Sequence, residues 1–185
     1  MEAGTRKKII DKPIVLKIFS KTCPDLTVVD LPGITKLPIM GSEMPDNIEE
    51  ITTNLVVNYI KEKKTIILCV AQAGIDIGNS DALKLAKKYD PHFNRTLCAL
   101  TKVDLADNKE QVRQTLQNRQ YILKYGYIAV KNRGPKELKR GITIQEGFEI
   151  EQEYFQKHYP NCYQKGLVGI NQLINKTCEI LSKNI

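Results

Sequence analysis

The length and composition of the chain are those of a single globular domain. It has 185 residues, of which 42% are hydrophobic and 26% charged, enough for a normal hydrophobic core. No apolar run approaches the ~20 residues of a membrane-spanning helix, and the charged residues 1–12 lack the apolar core of a signal peptide. These features exclude an integral membrane protein and predict a cytoplasmic one, with any membrane contact peripheral.

Charge and cysteine usage argue against three further classes. The basic excess behind the net charge of +7 lies in residues 1–21 and 131–185, while residues 22–130 are neutral overall. Aromatic residues make up only 6% and no nucleic-acid-binding motif is present, so we expect no nucleic-acid partner. The five cysteines form no Cys-x-x-Cys pair, and His92 and His158 lie far apart, which disfavours a zinc site or a disulfide framework.

The first part of the chain predicts two strands, an irregular loop and a helix. Residues 1–12 are polar and basic and are expected to be a ragged end. Residues 13–20 and 26–29 are rich in β-branched and apolar side chains, which predicts two neighbouring strands joined by a turn. Prolines and a glycine make residues 33–45 irregular and mobile. Asp46, with an acid three residues later, predicts the cap of a helix.

The remainder of the chain alternates strands with helices. Strands are predicted at residues 65–71, which we expect to be buried on both faces, and at 95–100 and 126–130. Helices are predicted from Ser80 onward, at 109–123, from a cap at Thr143 to about 158, and at 167–182. This alternation predicts an α/β domain with a mostly parallel sheet covered by helices on both faces.

Three polar motifs follow predicted strands, where ligands bind in such sheets. They are Asp30-x-x-Gly33, Thr101-Lys102-Val103-Asp104 and Asn132-Arg133-Gly134. Because the carboxyl ends of parallel strands meet at one edge of the sheet, the three motifs are expected to share that edge. Their common placement predicts a nucleotide site, although the first two motifs, each taken alone, are more often ordinary turns.

The first motif has the chemistry of a phosphate and magnesium site. Gly33 has no Cβ, so its backbone N–H can approach a terminal phosphate closely. The carboxylate of Asp30 can hold a water of a phosphate-bound Mg²⁺.

The second motif has the chemistry of a guanine site. The carboxylate of Asp104 can accept hydrogen bonds from the ring N1–H and the 2-amino group of guanine together. Adenine offers neither donor, so the carboxylate would be left unpaired. Lys102 would lay its aliphatic stem along the base, and Thr101 would join neighbouring loops.

Four stretches together resemble the GTPase domain of the dynamin superfamily. They are LTVVDLPGITKL (26–37), NSDALKLAKKYDP (79–91), LTKVDLAD (100–107) and GYIAVKNRG (126–134). The Asn-Ser-Asp-Ala-Leu-Lys sequence and the Asn132-Arg133 pair are more specific than general GTPase motifs, and Gly134 leans toward the Mx-like side of the superfamily. The resemblance implies a three-layer phosphate-loop NTPase fold, with residues 13–165 as the later two-thirds of a GTPase domain. Residues 166–185 would form an amphipathic helix that leads toward a stalk.

The resemblance also implies the ligands and the residues that contact them. GTP and Mg²⁺ would be bound, with Asp30 reaching the metal through water, Gly33 contacting the γ-phosphate, and residues 33–45 acting as a switch. Asn132 and Arg133 would border the base and the ribose. The full set of nucleotide-binding residues implied is Asp30, Leu31, Pro32, Gly33, Thr101, Lys102, Asp104, Leu105, Asn132, Arg133 and Gly134.

In this superfamily two GTPase domains pair across their nucleotide faces. The resemblance places Asp76, Lys84 and Asp107 at the pairing surface, with Asp107 near the guanine of the partner. The partners implied are therefore other dynamin-like GTPase domains, as homo- or hetero-dimers. For the full-length proteins the resemblance implies a cytoplasmic location with peripheral membrane or microtubule association, the membrane being reached through segments absent from this sequence.

One departure from the superfamily leaves two functions open. The 185 residues contain no Gly-x-x-x-x-Gly-Lys-Ser/Thr phosphate loop, which the superfamily places before this region. The chain is therefore expected to have little GTPase activity alone and to carry no catalytic residue. One function is that of a GTP-binding part of a dynamin-like GTPase that self-assembles and remodels membranes. The alternative is a catalytically dead module that pairs with full-length relatives.

Overall fold

The computed structural model describes residue 9 and residues 12–21, 26–38 and 44–184. The chain divides into two units, Met1–Thr65 and Ile66–Ile185, which are described separately. The helices and strands in chain order are α1 (Ile48–Ile60), β1 (Ile67–Gln72), α2 (Asp81–Tyr89), β2 (Thr96–Thr101), α3 (Lys109–Leu116), β3 (Tyr127–Ala129), α4 (Pro135–Lys139), α5 (Ile144–His158), α6 (Pro160–Gln164) and α7 (Ile170–Asn184). Short 3-10 turns occur at Ile77–Asn79 and Val103–Leu105.

The second unit is built on a parallel sheet whose described strands run in the order β1-β2-β3. Leu100 of β2 is level with Ala71 of β1 and with Ala129 of β3. Ala129 also forms an isolated parallel bridge with Val168, just before α7. Strands that alternate with helices in one parallel sheet confirm the predicted α/β class.

One buried part of the second unit lies between the sheet and α7. Its buried apolar cluster comprises Leu97, Ala99, Ile128, Val130, Leu173 and Ile180. The residues of β2 from Thr96 to Leu100 are all buried, as expected for a central strand with cover on both faces. The prediction that β1 is buried on both faces is wrong, since Leu68 is 41% and Val70 58% exposed. Strand β1 pairs only with β2 among the described strands, and its alternation of buried and exposed residues is that of a strand covered on one face.

Two of the predicted helix caps are confirmed. Thr143 accepts a hydrogen bond from the backbone N–H of Glu146, whose carboxylate accepts one from the N–H of Thr143 over 2.7 Å. This reciprocal pair is the capping box at the start of α5. Ser80 caps α2 by accepting from the N–H of Leu83. The cap predicted at Asp46 is wrong, because Asn47 is the residue before α1 and its side chain makes no capping hydrogen bond.

Helix α3 is shorter than predicted for a local reason. It ends at Leu116, whereas the pattern predicted a helix over residues 109–123. Asn118 adopts a left-handed backbone conformation with φ of 56°, which a helix cannot continue through. Its side-chain amide then binds both the carbonyl and the N–H of Leu123, so the chain turns toward β3.

The two strands predicted in the first unit are absent from its described residues. Residues 12–20 and 26–38 are irregular, with Ile14 84% and Phe19 90% exposed. A strand is stable only when a neighbour satisfies its backbone groups, and no described segment pairs with either stretch. The connecting turn at residues 22–25, most of the expected ragged end and residues 39–43 of the expected loop lie outside the described residues.

Candidate functional site

The loops that follow β2 and β3 leave the sheet side by side. The backbone N–H of Val130, the first residue after β3, donates to the carbonyl of Leu100, the penultimate residue of β2, over 2.8 Å. The end of β2 at Thr101 and the loop that follows β3 from Val130 therefore lie side by side at the same edge of the sheet. The structure brings together the second and third sequence motifs at this edge.

The turn after β2 is tied to β1. The hydroxyl of Thr101 donates to the carbonyl of Ala71 over 3.2 Å, which joins the ends of the two strands. Lys102 adopts a left-handed conformation with φ of 55°, and its ammonium group lies 3.4 Å from the side-chain oxygen of Gln72. The N–H of Leu105 donates to the carbonyl of Lys102 and closes the 3-10 turn. The aliphatic stem of Lys102 thus crosses the sheet edge from β2 toward β1.

Asp104 lies on the outer side of this turn. Val103 is fully buried and anchors the turn, whereas Asp104 and Leu105 are exposed. The hydroxyl of Tyr154, from α5, donates to the carbonyl of Val103 over 3.2 Å. Within the described part of the chain, no group forms a hydrogen bond with the Asp104 carboxylate. The carboxylate is therefore available to a ligand.

The loop after β3 is held by two carboxylates. The N–H of Lys131 donates to Glu151 over 2.7 Å, and the Lys131 ammonium pairs with Glu137 at 2.9 Å. The N–H of Gly134 also donates to Glu137. The Gly134 N–H, together with Lys131, holds the pKa of Glu137 below its usual range. Between these anchors Asn132 is exposed.

Arg133 is engaged by the protein itself. One of its guanidinium nitrogens donates to the carbonyl of Ile142 over 2.6 Å. Its side-chain stem lies against Gly147 of α5, where an added Cβ would come within 2.9 Å of the Arg133 Cγ. Asn132 and Arg133 border a cleft of about 290 Å³, which is also lined by Lys131, Leu138, Ile144, Gly147, Phe148, Glu151 and Ile170.

The first motif belongs to the first unit and is described by itself. Asp30 and Gly33 are exposed, while Leu31 and Pro32 are half-buried. Apart from its two chain neighbours, no heavy atom of the described residues lies within 4 Å of the place where a Cβ of Gly33 would be, so its backbone is open to a ligand. Thr35 connects this segment to α1, since its hydroxyl donates to the carbonyl of Gly33 over 3.2 Å and its N–H donates to the Thr52 hydroxyl over 3.3 Å.

The three residues expected at a pairing surface all lie in the second unit and are exposed. Asp76 caps the 3-10 turn after β1 by accepting from the N–H of Gly78 over 3.0 Å. Lys84 lies on α2, and Asp107 lies between the second 3-10 turn and α3. Their role in pairing stays a prediction.

Buried thiols and carboxylate clusters provide no further site. Burial, together with Asp90, raises the pKa of Cys69 to about 12, and burial also raises the pKa of Cys98. Both thiols therefore stay protonated at neutral pH. Among the described residues there is no group of three or more His, Cys, Asp or Glu side chains that could hold a metal ion. The described helices include none that is long and apolar enough to cross a membrane.

Sequence reasoning missed the residues of α5 that contact the two loops. Gly147, Glu151 and Tyr154 lie at spacings of four and three, so they share one face of the helix. An acid at helical spacing from Phe148 and Phe155, on the apolar face of the predicted helix, was the one available signal. Its partners could not be named, because they lie 20 and 19 residues away at Lys131 and Ile170.

Comparisons with known proteins agree with the resemblance seen in the motifs. A model of the dynamin family matches residues 1–103, and a model of the dynamin central region matches residues 111–185. The chain is 42% identical over 156 residues to dynamin-related protein DNM1 of Saccharomyces cerevisiae, covering 84% of the chain and 20% of that protein.

Two further relatives give the same result over similar or longer stretches. Dynamin-related protein 3B of Arabidopsis thaliana is 34% identical over 183 residues, which is 99% of the chain and 23% of the relative. Human dynamin-2 is 40% identical over 155 residues, which is 84% of the chain and 18% of the relative. The chain thus spans about a fifth of the length of these curated relatives. Because the dynamin family model matches more than half of the residues of this chain, the chain belongs to the dynamin family.

Proposed function

We propose that this chain binds the base of GTP between the turn after β2 and the loop after β3, as part of a dynamin-type GTPase. The observation that carries the proposal is the exposed Asp104 carboxylate, which has no hydrogen-bond partner among the described residues. It stands at the carboxyl end of a central strand, beside the loop that follows β3. An available carboxylate at this place suits a ligand that presents paired N–H donors.

The donors of guanine match this carboxylate. Asp104 would accept from the ring N1–H with one oxygen and from the 2-amino group with the other. The stem of Lys102, which already crosses the sheet edge, would lie along the face of the base. Thr101 would keep the turn in register with β1 through its hydrogen bond to Ala71. Adenine would leave the carboxylate without donors, which discriminates against ATP.

The loop after β3 would complete the base site. Asn132 and Gly134 flank Arg133 beside the cleft, and Leu105 follows Asp104 on the opposite loop. Asn132 would border the base. Arg133 would border the ribose with the guanidinium N–H groups that do not bind Ile142. The proposed nucleotide site thus uses both loops.

The segment from Asp30 to Gly33 would serve the phosphates and Mg²⁺. A single carboxylate does not form a metal site, so Asp30 fits Mg²⁺ only through water, with phosphate oxygens as the other ligands. Its exposure and the open backbone of Gly33 are compatible with that role. Mg²⁺ would neutralise phosphate charge when bound. Leu31 and Pro32 would hold the segment in place.

GTP hydrolysis and self-assembly are proposed for a full-length dynamin-type GTPase that contains this sequence, and not for the 185 residues alone. The 185 residues include no phosphate-loop motif, so we assign no catalytic residue among them. The larger activity would be GTP hydrolysis coupled to self-assembly and membrane remodelling, in the cytoplasm with peripheral membrane or microtubule association. Pairing across the nucleotide face would use Asp76, Lys84 and Asp107. The alternative function, a catalytically dead module that pairs with full-length relatives, would use the same three residues.

Nucleotide titrations of the 185-residue chain test the base assignment. Ligand-observed NMR with GDP and ADP detects dissociation constants on the order of millimolar, the range expected when few phosphate contacts contribute. GDP is expected to bind saturably and more tightly than ADP. Asp104→Ala should abolish that preference, whereas Asp107→Ala, which removes another exposed carboxylate three residues away, should retain it. ADP binding as tight as GDP binding would disprove the proposal.

A further inference from the structure

One helix contacts both loops of the proposed base site. Gly147 of α5 receives the stem of Arg133, Glu151 accepts from the N–H of Lys131, and Tyr154 donates to the carbonyl of Val103. The first two contacts reach the loop after β3, and the third reaches the turn after β2. Because a helix is rigid over two turns, contacts from one of its faces fix the separation of the two loops.

Glu151 is the stronger of these anchors. Its side chain is only 4% exposed, and each carboxylate oxygen accepts a backbone N–H, from Lys131 at 2.7 Å and from Ile170 at 2.9 Å. A buried carboxylate is costly unless both oxygens are paired, so the two N–H groups and the carboxylate fix one another. Lys131 immediately precedes Asn132 and Arg133. The position of the loop after β3 therefore depends on this carboxylate.

Tyr154 is the anchor of the other loop. Its hydroxyl reaches the carbonyl of Val103, the residue before Asp104, over 3.2 Å. Burial, with contributions from Tyr159 and Asp104, raises the pKa of Tyr154 to about 12, so the hydroxyl keeps its proton and remains a donor at neutral pH. The buried side chain of Val103 holds the turn from below, and Tyr154 holds its backbone. Together they direct the Asp104 carboxylate.

We infer that Glu151 and Tyr154 are positioning residues for guanine specificity, which act by holding the two base-binding loops at a fixed separation from a single helix. The inference rests on the proposed function of these loops. Neither residue would touch the base in this arrangement. Loss of either anchor leaves the ligand-binding side chains present but misplaced, and misplacement weakens the paired hydrogen bonds of Asp104 more than it weakens general contact with a purine.

The test compares GDP with IDP, which lacks the 2-amino group. Both nucleotides are titrated into the full 185-residue chain by ligand-observed NMR. Tyr154→Phe keeps the ring and removes only the donor, and Glu151→Gln keeps the shape but turns one acceptor into a donor. Each variant is expected to lower the ratio of the IDP to the GDP dissociation constant by about threefold or more, the effect of one hydrogen bond. Mere destabilisation would raise both dissociation constants by the same factor and leave the ratio unchanged.

Matched controls separate positioning from general effects. Glu153→Gln removes an exposed charge from the same helix, and Tyr163→Phe removes a hydroxyl that accepts from Gln152 on the surface. Both should keep the wild-type ratio. In an Asp104→Asn background, Tyr154→Phe should cause no further change in the ratio, since its effect passes through Asp104.

Each outcome bears on one claim. If Tyr154→Phe leaves the ratio unchanged while Asp104→Asn alters it, the positioning role is overturned and the base site stands. Additive effects of Tyr154→Phe and Asp104→Asn would also overturn the role. If the wild-type chain binds neither nucleotide, or binds both equally, the base site itself is overturned and the positioning role with it. Should Glu151→Gln fail to fold by circular dichroism, Tyr154→Phe alone decides.

Discussion

The carboxylate of Asp90 accepts a hydrogen bond of 2.7 Å from the hydroxyl of Thr96, and both side chains are buried. The same carboxylate accepts from the backbone N–H groups of Asn94 at 2.9 Å and Arg95 at 3.0 Å. One side chain thereby joins the end of α2 to the start of β2, the strand that leads into the proposed base site. A buried carboxylate with three donors is stabilising only while all its acceptors remain.

Asp90→Asn is expected to destabilise the chain while preserving side-chain size. The new amide group would face N–H or O–H donors, leaving at least one buried donor unpaired, which costs about 1–3 kcal/mol. Urea denaturation followed by circular dichroism measures the loss in the free energy of unfolding. Asp107→Asn, at an exposed position, is the control and should change stability by less than about 0.5 kcal/mol. Equal losses in the two variants would contradict the role of Asp90.

Local signals explain what the sequence could predict of the fold. The caps at Ser80 and Thr143 depend on residues three positions away, and both form as expected. The apolar runs at β2 and β3 were sufficient because those strands are buried on both faces. The motifs after β2 and β3 lie at one edge as predicted, since parallel strands end together. The strand predicted before Asp30 does not form among the described residues.

Non-local partners explain what the sequence could not predict. A strand at residues 13–20 needs a neighbour, and its composition carries no information on whether one is present. The exposed face of β1 at Leu68 and Val70 depends on what lies over it. The contact of Tyr154 with Val103 joins residues 51 positions apart, and no local pattern encodes it.

Glu137 predicts a dependence of stability on pH. The Gly134 N–H and Lys131 hold its pKa below the usual range, so the folded state favours the charged form. The stabilisation is therefore present above the pKa of the unfolded state and is lost as the pH falls through the folded pKa. Glu137→Gln should cost about 0.5–1.5 kcal/mol at neutral pH and nearly nothing at strongly acidic pH.

Urea denaturation of both proteins across the acidic range measures this difference. Glu149→Gln removes an exposed carboxylate of α5 and serves as the control. Its difference from the wild type in the free energy of unfolding should not shrink as the pH falls. If the loss in the free energy of unfolding caused by Glu137→Gln stays constant down to acidic pH, the charge of Glu137 does not stabilise the fold through Gly134 and Lys131.

The proposed role of Asp104 in binding guanine predicts that Asp104→Asn changes the base preference. The test uses a hybrid protein in which the N-terminal segment of DNM1 of Saccharomyces cerevisiae precedes this chain. We expect added phosphate contacts to raise the affinity for GTP, so that a large loss of affinity can be measured. Asp104→Asn loses one charge-assisted hydrogen bond and places an amide donor against the N–H groups of guanine. GTP affinity should fall about 10- to 100-fold. Xanthine has a carbonyl in place of the 2-amino group, so xanthosine triphosphate should become the preferred ligand in isothermal titration calorimetry.

Asp107 predicts a different loss in the same hybrid. It is exposed beyond the second 3-10 turn and is proposed to approach the base of a partner molecule. Asp107→Asn should leave the affinity of the monomer for GTP nearly unchanged and weaken nucleotide-dependent dimerisation in analytical ultracentrifugation. Lys84→Ala should weaken dimerisation too, because it lies on the same proposed surface. Equal losses of GTP affinity in Asp104→Asn and Asp107→Asn would refute the separation of the two roles.

The exposed apolar side chains of the first unit predict that the isolated chain self-associates. Ile14, Val15, Leu16, Ile18 and Phe19 are all exposed, in a segment whose composition favours a strand but which has no described pairing partner. Such a segment is a template for intermolecular strand pairing. Size-exclusion chromatography with light scattering should show concentration-dependent oligomers. The double variant Ile14→Lys, Phe19→Lys should be more monomeric, because lysine disfavours edge pairing, whereas Lys12→Ala should not be. A monomeric wild-type chain that unfolds in one sharp two-state transition would count decisively against this expectation.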